Sequence, residues 1–249
     1  MTDHIRIERP ISAVRVVRLD RAEKKNAITR AMYAAMTAAL READADEAVR
    51  VTVLLGREGC FSAGNDLNDF LAFARGGTMG GEVIDFLHAL AGHRKPLVSG
   101  VDGLAIGIGT TIHLHCDLTY ASPRTEFRTP FVDLALVPEA ASSLLAPRVM
   151  GHQRAFALLA AGETFSAAAA REAGLIHAVV AAEAVEEETL AAAARLAARP
   201  PQALAIARSL IRGDRAAVAA RIEEEAEHFA RQLASPEARA AFEAFLARR

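Results

Sequence analysis

Cysteine is scarce: the 249 residues hold two, Cys60 and Cys116, and neither belongs to a CxxC pair. That argues against structural disulfides and a cysteine zinc site, and a reduced, cytoplasmic setting is the expectation. Tryptophan is absent. No window holds eighteen uncharged apolar residues, although 52% of the chain is apolar, so no membrane span is expected. The opening MTDHIRIERP mixes acids, bases and a proline, unlike a signal peptide. An excess of one charge is missing too. The formal net charge is −2 with both signs mixed throughout, which offers nucleic acid no electrostatic footprint. GxSxG is absent, so a hydrolase elbow is unsupported. GxGxxG fails as well, because Thr110–His113 supply no third glycine after Gly107-Ile108-Gly109.

What is present fits one large α/β domain. AVRVVRL (13–19) alternates apolar and basic residues as a half-buried strand does. VTVLL (51–55), PLVSGV (96–101) and DLTYA (117–121) read as further strands. Apolar residues from Thr29 to about Ala43 recur at helical spacing, with Thr29 as N-cap. GGTMGG (76–81) reads as a flexible loop that follows no strand and lacks the phosphate-loop pattern. After Gly162 alanine-rich helices are expected over 182–198, 201–212, 215–233 and 236–248, separated by Pro200-Pro201, Gly213 and Pro236. They read as an appendage for packing or oligomerisation.

Three places carry candidate chemistry. His113, His115, Cys116 and Asp117 are metal-ligand types. In a helix, however, side chains two residues apart diverge by about 200°, so core or supporting histidines are the simpler reading. Two glycine turns follow strands, CFSAGNDLNDF (60–70), with a helix expected from Asp66 or Leu67, and GLAIGIGTTI (103–112). Such turns leave backbone N–H groups unpaired, and two side by side form an oxyanion hole; tight strand–helix packing also uses glycine. The third place is TPFVDLALVPEAASS (129–143), where Glu139 interrupts an apolar stretch. It is either an ordinary helix-start acid after Pro138 or a proton carrier.

Taken together, KKNAIT (24–29), FSAGNDL (61–67), DGLAIGIG (102–109), TPFVDLALVPEAASS (129–143), GETFSA (162–167) and AREAGLIHAVV (170–180) resemble the crotonase, or enoyl-CoA hydratase/isomerase, superfamily over essentially the whole chain. The resemblance implies a spiral of ββα units over 1–195 and a helical oligomerisation region over 196–249, assembling as a homotrimer or a hexamer. It implies an acyl-CoA thioester substrate, with coenzyme A as part of the substrate, no separate cofactor and no metal. The thioester oxyanion would be held by the amides of Asn65 and Ile108. Lys25, Ala27, Ile28, Ala63, Asp66 and Leu67 would follow the CoA groove, although adjacent Lys24 and Lys25 also suit simple solvation. Gly107, Thr111, Phe131 and Pro138 would border the acyl end. Phe245 and Arg248 resemble a tail reaching a neighbouring subunit's ligand.

Departures from the pattern narrow the activity. The two positions where hydrating members carry acids align with Thr111 and Phe131, neither of which can exchange a proton at neutral pH. PEAASS instead is similar to the peroxisomal-type Δ3,Δ2-enoyl-CoA isomerases, whose single acid/base would be Glu139, with Ala140 where that subgroup commonly has glycine. Phe131, Leu134, Leu136 and Val137 are expected to desolvate Glu139 and raise its pKa. Another crotonase reaction using Glu139 with Asp133, or a non-catalytic acyl-CoA-binding protein, stands as the alternative.

Overall fold

The computed structural model describes residues 2–66, 69 and 81–247, without the side chains of 245 and 246. The apolar runs form β2 (Val14–Leu19), β3 (Val51–Leu55), β5 (Leu97–Val101) and β7 (Leu118–Ala121), paired parallel in that order. β1 (Ile5–Ile11) adds an antiparallel edge next to β2, and β10 (Ala178–Val179) adds a parallel one next to β7. A second sheet holds β4 (Cys60–Ser62), β6 (Leu104–Ile106) and β8 (Glu126–Arg128) in parallel, with β9 (Phe165–Ser166) antiparallel to β8.

The chain alternates between the sheets. β3 leads to β4 and later the helix Glu82–Gly92, β5 leads to β6 and the short helix Ile108–Thr111, and β7 leads to β8 and the helix Ser142–Leu159. This is the expected spiral of ββα units. The four expected strands lie where the pattern puts them, and so does the helix Arg30–Ala45, whose N-cap Thr29 Oγ1 accepts from the Met32 amide at 3.3 Å. The short strands β4, β6, β8, β9 and β10 were not expected, because two or three residues are too few to display a period.

Both faces of the large sheet are covered, as parallel strands require. Val14, Val16, Val53 and Leu55 pack with Ala192 and Ala193 of the helix Val185–Ala197 on one face. Their alternates Val17, Leu19 and Leu54 join the main core with Met32, Met36 and Leu40 on the other. The helices Pro201–Arg212, Arg215–Leu233 and Pro236–Ala247 match the expected segments. Arg208 and Arg212 of the first tie it to the core through Asp117, at 2.7 and 3.0 Å. The helix Arg215–Leu233 packs against the helix Glu82–Gly92, so the C-terminal segment is more than an appendage. The expected GGTMGG loop lies outside the described residues apart from Gly81, and so does Leu67, one of the two residues at which a helix was expected to begin.

Candidate active site

The parallel pairing of β4 and β6 sets Ser62 beside Ala105, so the chain leaves both strands at one edge. Each exit turn depends on glycine. Gly64 sits at φ +87°, and a Cβ there would stand 2.8 Å from the Ile106 carbonyl oxygen. Gly107 has φ 58° and ψ −122°, a conformation open mainly to glycine. A Cβ on Gly109 would lie 2.9 Å from the Ser62 carbonyl oxygen. The two turns therefore touch backbone to backbone.

Asn65 and Ile108 sit on these turns. Ile28 bridges the residues flanking Asn65, donating to the Gly64 carbonyl at 2.8 Å and accepting from the Asp66 amide at 3.0 Å. In a parallel bridge that leaves the Asn65 N–H facing away. Ile108 is the first residue of its short helix, so its N–H has no intrahelical acceptor. Among the described residues, neither amide donates to a protein acceptor. The Asn65 side chain is fixed by Tyr33, whose hydroxyl donates to Oδ1 at 2.5 Å.

The segment 25–28 runs along the same turn. The Lys25 carbonyl accepts from the Ala63 amide at 2.9 Å, and Arg21 Nη1 donates to both the Ala27 carbonyl at 2.9 Å and Asp66 Oδ2 at 2.6 Å. The structure thus brings together Lys25, Ala27, Ile28, Ala63, Asn65 and Asp66, with the Lys25 side chain exposed and the Asp66 carboxylate engaged by Arg21. Asn26, which the sequence reading did not single out, holds the strip together. Its side chain donates to the Cys60 and Phe61 carbonyls at 3.1 and 3.0 Å, and accepts from the Arg21 amide at 2.6 Å. Leu67, Arg248 and the Phe245 side chain lie outside the described residues.

Glu139 is not a helix-start acid: its helix begins at Ser142, after Ala140 and Ala141. Both alanines are left-handed, at φ 61° and 54°, which costs roughly 1–2 kcal/mol each. Remote side chains hold this strained turn. His115 Nε2 donates to the Ala140 carbonyl at 2.7 Å, while Glu225 accepts from the amides of Ala141 at 2.6 Å and Ser143 at 2.9 Å. Burial lowers His115 to about 4, so it is neutral and carries its proton on Nε2. His113 is buried on Ser99, 3.0 Å from its hydroxyl; both histidines support the core, and no metal-binding group of three occurs among the described residues.

The Glu139 carboxyl is 5% exposed and receives the Thr111 hydroxyl at 3.3 Å. Burial, with a smaller push from the Glu225 charge and a counter-pull from Thr111, raises it to about 8. It faces a cavity lined by Asn65, Val83, Ile84, Leu87, Ile222, Glu225 and Phe229, among others. Among the described residues the apolar wall comes from the helices Glu82–Gly92 and Arg215–Leu233, and none of Phe131, Leu134, Leu136 and Val137 lines it. Phe131 is buried in the main core and Pro138 is half-buried next to Glu139. Glu225 was missed by the sequence reading. Its signal was present, since Ile222, Glu225, Ala226 and Phe229 share one helical face on which a lone acid stands among apolar residues.

Paired glycine turns with unpaired amides, one of them on the cavity that a buried carboxyl faces, are what proton transfer next to an activated carbonyl requires. The family model for enoyl-CoA hydratase/isomerase matches residues 10–249. The chain belongs to the enoyl-CoA hydratase/isomerase family and has the crotonase fold. It is 36% identical over 201 residues to enoyl-CoA delta isomerase 2 of Rattus norvegicus, covering 79% of this chain and 51% of that protein. It thus spans about half the length of that relative. A probable enoyl-CoA hydratase of Rhizobium meliloti is 33% identical over 187 residues, 74% of this chain and 72% of that protein. Among solved structures, Pseudomonas aeruginosa OdaA superposes with a TM-score of 0.93 at 41% identity, covering 98% of this chain and 99% of that one. The relatives carry both isomerase and hydratase names.

Proposed function

We propose that the protein is a Δ3,Δ2-enoyl-CoA isomerase with Glu139 as its single acid/base. The observation that carries this reading is the pairing of a buried Glu139, raised to about 8, with Thr111 and Phe131 at the positions where hydrating relatives would need acids. Moving a double bond from C3 to C2 removes a C2 proton and returns one at C4. One base on one face serves both steps. As the C2–H bond breaks, its electron pair moves towards the thioester oxygen, where the Asn65 and Ile108 amides would receive the charge. Losing one such donor typically costs about 3–4 kcal/mol of transition-state stabilisation. The base would contribute roughly 10²–10⁴-fold. Lys25, Ala27, Ile28, Ala63, Asp66 and Leu67 would line the CoA groove, Gly107, Thr111, Phe131 and Pro138 would border the acyl end, and Phe245 and Arg248 would reach a neighbour's ligand. Exposed Ile206, Leu210 and Ile211 on the helix Pro201–Arg212 support the homotrimer or hexamer.

Incubation with a 3-enoyl-CoA and, separately, with a 2-enoyl-CoA tests the reading. The 3-enoyl thioester should become the conjugated 2-enoyl product, and the 2-enoyl thioester should gain no water. Hydration of the 2-enoyl thioester without isomerisation of the 3-enoyl one would sink it.

A further inference from the structure

The cavity holds a second carboxylate for which the mechanism above has no use. Glu225, 6% exposed, projects from the helix Arg215–Leu233 and accepts from two backbone amides, Ala141 at 2.6 Å and Ser143 at 2.9 Å. These donors bracket the start of the helix Ser142–Leu159 and directly follow the turn that carries Glu139. Ala140 and Ala141 are both left-handed, so the turn does not hold its shape through local preference. A helix N-terminus is commonly capped by a residue within its own first turn. Here the N-cap side chain is a methyl, and an acid from a remote helix takes over that place.

We propose that Glu225 is a positioning residue for Glu139, clamping the Ala140–Ala141 turn so that the Glu139 carboxyl stays aimed into the cavity. The inference rests on Glu139 being the acid/base. Glu225 also adds a negative charge on the same cavity, which makes Glu139 harder to ionise. Among the described residues, three other groups bear on Glu139 or its turn. Thr111 donates to it, the buried Tyr33 phenol is pushed up partly by it, and the neutral His115 holds the adjacent carbonyl. Arg221 partly offsets the Glu225 charge and donates to Ser143 Oγ at 3.0 Å, while the helix Glu82–Gly92 contributes only Val83, Ile84 and Leu87 to the cavity.

Two substitutions separate clamp from charge. Glu225→Gln keeps the shape and one acceptor oxygen but loses the charge; Glu225→Asp keeps the charge but withdraws it by one methylene. With a 3-enoyl-CoA substrate, folded Glu225→Gln should lose about 10–100-fold in kcat with KM nearly unchanged, as a misaimed base predicts. The rising limb of its pH–rate profile should move to lower pH by on the order of one unit. Glu225→Asp should lose kcat while keeping the wild-type limb. A folded Glu225→Gln with wild-type kcat and limb overturns the proposal. If Glu225→Gln does not fold, Glu225→Asp with wild-type kcat overturns it, and failure of both to fold does so in favour of a purely structural clamp. Glu139→Gln is run beside them. If it retains activity, or wild type leaves the 3-enoyl-CoA unchanged, the acid/base reading has failed. If it is inactive while Glu225→Gln is unaffected, only the Glu225 inference has.

Discussion

The Asn65 turn, with the Ile108 turn packed against it, and the glutamate turn meet at one cavity through Asn65 and Glu139, yet they are held by opposite means. At 62–65 and 105–109 the backbone supports itself: adjacent parallel strands set the register, and glycines let the two turns touch. At 138–141 the turn runs through two left-handed alanines and is fixed from outside, by His115 on one side and Glu225 on the other. A site for receiving charge gains from rigid, prepaid geometry. A proton carrier also needs a tuned environment, and remote side chains can supply both aim and charge.

Substitutions on the two sides of this contrast should behave differently. Glu139→Gln has the largest expected effect, a fall of about 10²–10⁴-fold in kcat on a 3-enoyl-CoA. It should not destabilise the fold. Because the fold raises the Glu139 carboxyl from 4.5 to about 8, its contribution is intact below 4.5 and is lost as pH rises through 8. Thermal melts should therefore show the variant gaining on wild type across that window, whereas a constant difference would contradict the burial. Gly64→Ala strikes the self-supporting side, placing a Cβ 2.8 Å from the Ile106 oxygen at φ +87°. A stability loss of about 1–3 kcal/mol by denaturant titration, together with up to 10²-fold in kcat from a displaced Asn65 amide, is the expected outcome.

His115→Leu strikes the externally held side. It leaves the buried Ala140 carbonyl without its donor at an expected cost of about 1–3 kcal/mol. Activity should fall more than KM changes, since the CoA groove is untouched; an unaltered kcat would mean that the glutamate turn does not depend on His115. Thr111→Val is the mildest. The hydroxyl holds the Glu139 pKa down, so its loss should move the rising limb of the pH–rate profile upward by less than about one unit, with little change in the plateau.

How far the sequence could be read follows the same division. Long strands and helices carry their own period, so VTVLL, PLVSGV and the segment from Thr29 were legible, as was the spiral through its motifs. The amide turns were legible because glycine marks a backbone that must bend. The surroundings of Glu139 were not. Nearby Phe131, Leu134, Leu136 and Val137 carry the expected desolvation of Glu139 in the sequence, but the cavity it faces takes its apolar wall, among the described residues, from 82–92 and 215–233. The helix-start reading of Pro138-Glu139 failed because left-handed alanines, which carry no glycine signature, delay the helix to Ser142. Glu225 was overlooked within RIEEEAEHF, where neighbouring acids hide the one that faces inward.

The most direct test is the pH dependence of kcat/KM for isomerisation of a 3-enoyl-CoA by the wild-type protein, which reports the free enzyme's base. A rate that rises with pH, is half-maximal near 8 and levels above it, with the limb abolished in Glu139→Gln, is the predicted result. A profile flat from pH 6 to 9, or a limb that survives in Glu139→Gln, would contradict the assignment of Glu139 as the proton carrier.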